Sequence, residues 1–181
     1  MSTNQNLIKA FFIESKNMNL FDYFSSRAKK DGYISIENIF QEFSFHERSH
    51  AKNFLRLINK SDTLENFNYN HIPIASTLEN LKMMIDEKEK IIDLYLKYSK
   101  IADEEKNQKA CVKFKTIAKA HEYHIKVMEE LVENIINQEF FSSSEKIFWK
   151  CLKCGYIYEG TNPPEICPAC GHDKSYFVKI K

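Results

Sequence analysis

The chain has 181 residues, a mass of 21.4 kDa and an apolar fraction of 43%, enough for one buried core and a small appendage. Gly and Pro number four each, against ordinary usage of about 7% and 5%. Three of each (Gly155, Gly160, Gly171; Pro163, Pro164, Pro168) fall in the last 31 residues, so residues 1–150 lack the turns of an all-β or α/β domain and must be long helices. Lys and Arg total 26 against 25 Asp and Glu, and they balance at 22 of each up to residue 150, so no basic domain is available to neutralise phosphates and no nucleic-acid partner is expected.

The first helix is expected from about Leu7 to Lys30, stopped by Asp31-Gly32 with Gly in the left-handed conformation. A second begins near Ser35, taken as its N-cap, and runs to about Asn59. Residues 60–75 (KSDTLENFNYNHIPIA) read as a crossover, long enough to carry the chain across the end of a bundle. The third helix opens with Ser76-Thr77-Leu78-Glu79, a capping box. The fourth runs from about Asn107 to Gln138, and Ser142–Ser144 begin a linker to the Cys-rich end. The expected division is a helical domain at 1–141, a linker at 142–148 and a small metal domain at 149–181. No apolar run reaches the 18 residues of a membrane span, and MSTNQNLIKAFFIESKN lacks the order of a signal peptide, so a cytoplasmic protein with no membrane partner is expected.

Steps of three and four along each helix trace an apolar stripe, and in every helix that stripe is interrupted. The interruptions are Glu14 in the first, Glu47 and His50 in the second, Glu87 in the third, and His121 and His124 in the fourth. A single such break is commonly a hydrogen-bonded core residue. Carboxylates buried together repel and cost several kcal/mol each unless neutralised, and a bound cation neutralises them. Glu47-x-x-His50 places both groups on one helical face, the spacing by which ferritin-like bundles hold metal.

Cys151-x-x-Cys154-Gly155 and Cys167-x-x-Cys170-Gly171, with 12 residues between the pairs, form two knuckles that converge on one tetrahedral ion. Four sulfurs accept iron or zinc. Cys111, the fifth cysteine, reads as helix packing.

The stretches FFIES around Glu14, RAKKDGY at 27–33, HERSHAK at 46–52, STLENLK at 76–82, KIADEE at 100–105 and the Cys-rich end together resemble the rubrerythrin family over nearly the whole chain. The resemblance implies a mainly α fold: a ferritin-like four-helix bundle with a long crossover between its second and third helices, followed by a rubredoxin-like four-cysteine β domain. It implies iron at Cys151, Cys154, Cys167 and Cys170, and one or two non-haem irons in the bundle at Glu14, Glu47, His50, Glu87 and His124, with His121 a further candidate and zinc the alternative at either site. It also implies peroxide reduction in the cytoplasm, a head-to-tail homodimer, and a rubredoxin or its reductase as electron donor. Two positions depart from the family pattern. His121 stands where the family has a bridging Glu, and Lys90 stands where a second Glu would follow Glu87, with Asp86 and Glu89 the alternative pair on that helix. Tyr95 and Phe21 fall where the family places Tyr near the metals, and both read as plain packing. The alternative function is a non-enzymatic paralogue, an electron carrier or metal-binding protein.

Overall fold

The computed structural model describes residues 2–59 and 72–180. Four helices, α1 (Thr3–Lys30), α2 (Ile34–Leu55), α3 (Thr77–Glu104) and α4 (Gln108–Ile136), precede three strands, β1 (Ile147–Cys151), β2 (Ile157–Gly160) and β3 (Phe177–Ile180). α1 starts four residues before the expected Leu7, because Ser2 and Gln5 form a capping box that satisfies its first amides. α2 begins at Ile34 with Tyr33 as N-cap; the expected cap, Ser35, is buried in the first turn. The Ser76/Glu79 box opens α3, and the Asn107 side chain accepts from the Ala110 amide at the start of α4.

α1 and α2 form one antiparallel hairpin through Asp31-Gly32-Tyr33, where Gly32 has φ +82°; α3 and α4 form the other. Thr77 donates its amide and hydroxyl to Asp31 at one end of the bundle. At the other end Thr3 donates its amide to Glu105 and Asn59 donates its amide to Asn4. α2 therefore ends at the end of the bundle opposite the one where α3 begins. The expected crossover falls largely on residues 60–71, outside the described residues.

Two apolar clusters fill the interior. One, around Leu7, Phe54, Tyr95 and Phe114, lies toward the start of α1; the other gathers Phe21, Phe24, Phe40, Phe43 and Met84 toward its end. Each fully buried Phe contributes about 1.5–3 kcal/mol. A polar layer lies between them, at the depth of Glu14 on α1, Glu47 on α2 and His121 on α4, and these three side chains are fully buried. Among the described residues, no helix is long and apolar enough to cross a membrane.

The C-terminal strands form an antiparallel sheet in the order β2-β1-β3, packed on a small core of Trp149, Cys151, Cys167 and Phe177. The Trp149 indole donates to the Gly160 carbonyl at 2.9 Å. This module leans on the α1–α2 turn, where Ser175 approaches Gly32, and the Asn162 amide group donates to the Phe141 carbonyl.

Candidate metal centres

The two knuckles are built alike. Gly155 and Gly171 lie at φ +77° and +74°, the left-handed region where Gly carries no side-chain penalty, and each donates its amide to the carbonyl of the first Cys of its knuckle at 2.9 Å. The turns bring Cys151 Sγ within 3.8 Å of Cys170 Sγ, and Cys154 Sγ within 3.7 Å of Cys167 Sγ. A tetrahedral ion with bonds of about 2.3 Å to sulfur has S···S edges of about 3.8 Å, so the four sulfurs fit one ion. Their acidities point the same way. Burial opposes ionisation of Cys167, yet the amides of Ala169 and Cys170 outweigh it and bring the thiol down to about 7. The His172 amide favours the Cys170 thiolate, but burial and the three neighbouring sulfurs push it up to about 12. Four thiolates cannot share this space without a cation.

In the bundle, Glu14, Glu47, His50 and His121 bring one ligand atom each within 4.8 Å of one another. Glu14 Oε1 accepts from the Tyr95 hydroxyl and faces His121 Nε2 at 3.2 Å, while its Oε2 faces His50 Nδ1 at 3.2 Å. Burial resists ionisation of Glu14, but His121, His50 and Lys88 overcome it and hold the carboxyl well below the usual range. Burial and the two carboxylates push the Tyr95 hydroxyl well above its ordinary value, so it remains a donor. Glu47 Oε2 accepts from Lys88 Nζ at 2.5 Å, with both side chains fully buried. Its Oε1 lies 3.4 Å from His124 Nδ1, 3.8 Å from His50 Nδ1 and 3.9 Å from His121 Nδ1. Burial, reinforced by Lys88 and His121, lowers His124 to about 4 although Glu47 pulls the other way, so its ring is neutral near pH 7.

Glu47 Oε1, His121 Nδ1 and His124 Nδ1 are buried and have no hydrogen-bond partner. An orphaned polar atom in such a place costs about 1–3 kcal/mol, and a cation among the three satisfies them together. Carboxylate and imidazole donors suit iron, as the four sulfurs do. Both clusters fit iron.

The structure brings Glu14, Glu47, His50, His121 and His124 together and leaves Glu87 out. Glu87 pairs with Lys16 at 2.5 Å near the surface. Lys90, expected beside the site, is exposed, as are Asp86 and Glu89. The inward position belongs to Lys88. Met84 to Ile91 can be spanned through Glu87 or through Lys88, and the burial of Leu81, Met84, Lys88, Ile91, Tyr95, Tyr98 and Ala102 follows unbroken steps of three and four. That phase is already present in the sequence. Tyr95, read as packing, is bonded to Glu14, whereas Phe21 does pack, against Phe40 and Phe43. His46 was also missed. It stacks on His124 with centroids 5.3 Å apart, and its Nδ1 meets His124 Nε2 at 3.1 Å. Cys111 is buried in the apolar cluster, as expected.

Donors from facing helices of a four-helix bundle, joined to a four-sulfur β module, define a ferritin-like non-haem iron protein with a rubredoxin-like domain. The family model described as Rubrerythrin matches residues 5–132, and that described as Rubrerythrin, rubredoxin-like domain matches 149–178. Rubrerythrin-1 of Clostridium acetobutylicum is 38% identical over 180 residues, covering 97% of this chain and 92% of its own. Rubrerythrin of Clostridium perfringens is 36% identical, covering 99% and 94%. The solved structure of fully reduced, all-ferrous nigerythrin shares the fold at a TM-score of 0.68 and 24% identity, over 99% of this chain and 87% of that one. The chain belongs to the rubrerythrin family.

Proposed function

We propose that the protein reduces hydrogen peroxide to water in the cytoplasm, with electrons delivered by a rubredoxin-type donor to the four-cysteine site. The supporting observation is that one chain carries both a four-sulfur cluster with Cys154 exposed and a buried carboxylate–imidazole cluster with orphaned donor atoms. Iron held by these residues would supply one-electron storage at the first and Lewis-acid and redox chemistry toward peroxide at the second. Converting one peroxide to two waters takes two electrons and two protons. Tyr95, held protonated, fixes Glu14 through Oε1. On α2, His50 and His46, with side chains 13% and 41% exposed, carry the layer out to solvent, the side from which a small oxidant would approach.

The working unit is a homodimer. The β module leans on Gly32, and from the start of α2 beside it to Glu47 the helix axis runs about 20 Å at 1.5 Å per residue, so delivery from a second chain's module supports the reading. A carrier without a bundle site is not favoured, because the donors remain assembled and orphaned. Stopped-flow turnover of peroxide with a reduced rubredoxin donor tests the proposal; a rate no greater than that of free ferrous iron refutes it.

A further inference from the structure

The oxygens of the bundle centre can be counted one by one. Among the described residues, Glu14 and Glu47 are the buried carboxylates, offering four oxygens. Glu14 Oε1 is taken by Tyr95 and His121, and Oε2 faces His50. Glu47 Oε2 is taken by Lys88. Of the four, Glu47 Oε1 has no partner. A carboxylate that bridges two ions through separate oxygens must give each of them one, and Glu47 has one to give. The orphaned nitrogens, His121 Nδ1 and His124 Nδ1, both face that same oxygen, at 3.9 and 3.4 Å. A tetrahedral ion with bonds of about 2.1 Å to nitrogen and oxygen has ligand edges of about 3.4 Å. Both open nitrogens thus face the one open oxygen.

Charge leads to the same count. Two carboxylates and one ammonium leave −1, counting the imidazoles as neutral because metal ligation requires it. One divalent ion brings this to +1, whereas two bring it to +3 between two apolar clusters, where uncompensated charge costs several kcal/mol. Lys88 has no exposed surface with which to swing into water, and its ammonium lies 5.6 Å from the Phe21 ring centroid, a contact that further favours a cation at this spot.

We propose that the Lys88 ammonium stands in the place of a second metal ion, so that the bundle holds a single divalent cation, centred on Glu47 Oε1, His121 Nδ1 and His124 Nδ1. The two-ion site of the family does not fit this chain. The inference rests on the bundle binding iron and is independent of peroxide turnover: the count can fail while activity persists, and activity can fail while the count stands.

Metal counting on full-length protein, prepared without air and loaded with ferrous iron, tests it. The expected total is two irons per chain, one per site, and the oxidised bundle ion gives the EPR signal of an isolated high-spin ferric centre. Three irons per chain, with an EPR-silent coupled pair in the bundle, overturns the proposal; so does a single iron confined to the sulfurs. Lys88→Glu supplies a carboxylate where the ammonium stood and is expected to raise the total from two to three. A folded Lys88→Glu protein that stays at two overturns the role given to Lys88. Should that variant fail to fold, cobalt titration of metal-free wild-type protein decides: beyond the sulfur-bound equivalent, the visible bands of the bundle site saturate after one further equivalent if the proposal holds, and after two if it does not.

Discussion

Replacing Lys88 with Met keeps the volume and the apolar stem of the side chain and deletes the ammonium. In wild-type protein that ammonium is bonded to Glu47 at 2.5 Å with neither group exposed. Removing one partner of such a pair strands the other charge in a low-dielectric interior, at about 3–5 kcal/mol. The stem still packs, so hydrophobic loss is small. At roughly 2–4 °C per kcal/mol for a chain of this size, metal-free Lys88→Met is expected to melt about 10 °C below wild type, followed by helical circular dichroism. Glu47→Gln in the same background removes the stranded charge and is expected to recover about half of the loss or more, a coupling that a double-mutant cycle isolates. Ferrous iron is expected to narrow the gap between Lys88→Met and wild type, because the ion supplies the missing positive charge. A melting point within about 2 °C of wild type without metal, less than the shift of a single kcal/mol, or a double variant less stable than Lys88→Met, would refute the charge-pair argument.

Three other outcomes follow from the structure. Burial resists ionisation of Asp31, but the Arg27 guanidinium paired with it and hydrogen bonds from Thr77 win and lower its pKa; its contribution is therefore complete above the unfolded carboxyl's pKa and fades as pH falls through the folded value. Asp31→Ala should lose about 1–2 kcal/mol near neutral pH and little in acid below the folded value, read from urea midpoints. Cys154→Ala should abolish the iron–thiolate absorption of the C-terminal module while leaving helical dichroism unchanged, since the sulfurs take no part in the bundle core. Gly32→Ala, at φ +82°, should cost about 1–2 kcal/mol by thermal melting, without altering metal content.

Much of this molecule was legible in its order of residues, and the failures have physical causes. Gly and Pro crowding after residue 150 separated the helical part from the β module, and the Ser76/Glu79 box located α3 because capping is a local interaction with a local signature. The knuckles were readable for the same reason: each C-x-x-C-G turn is complete within five residues. The interior of α3 was not. Glu87 and Lys88 both lie one helical step from Met84, and which of them faces inward depends on the phase set by Leu81 and continued by Ile91, Tyr95, Tyr98 and Ala102. A charged residue scores against burial whatever its sign, so hydropathy does not separate the two. The hydrogen bond from Tyr95 to Glu14 and the stack of His46 on His124 join different helices, and no spacing within one helix announces them.

The two sites solve the problem of collecting ligands in opposite ways. Around Cys151, Cys154, Cys167 and Cys170, each sulfur raises the cost of ionising the next, as Cys170 at about 12 shows, and only a three-stranded sheet and a small core around Trp149 and Phe177 oppose their dispersal. Metal binding there is part of folding. In the bundle, long helices with two apolar clusters fix the donors beforehand. Lys88 and Tyr95 hold two of the four carboxylate oxygens, so the buried layer carries a single net negative charge before any ion arrives. An internal ammonium thereby exchanges metal capacity for a set of donors that is assembled without metal. That is why the positive residue belongs on a rigid helix in the centre of the bundle, where burial holds it in place, and not on a surface loop from which it could withdraw into water.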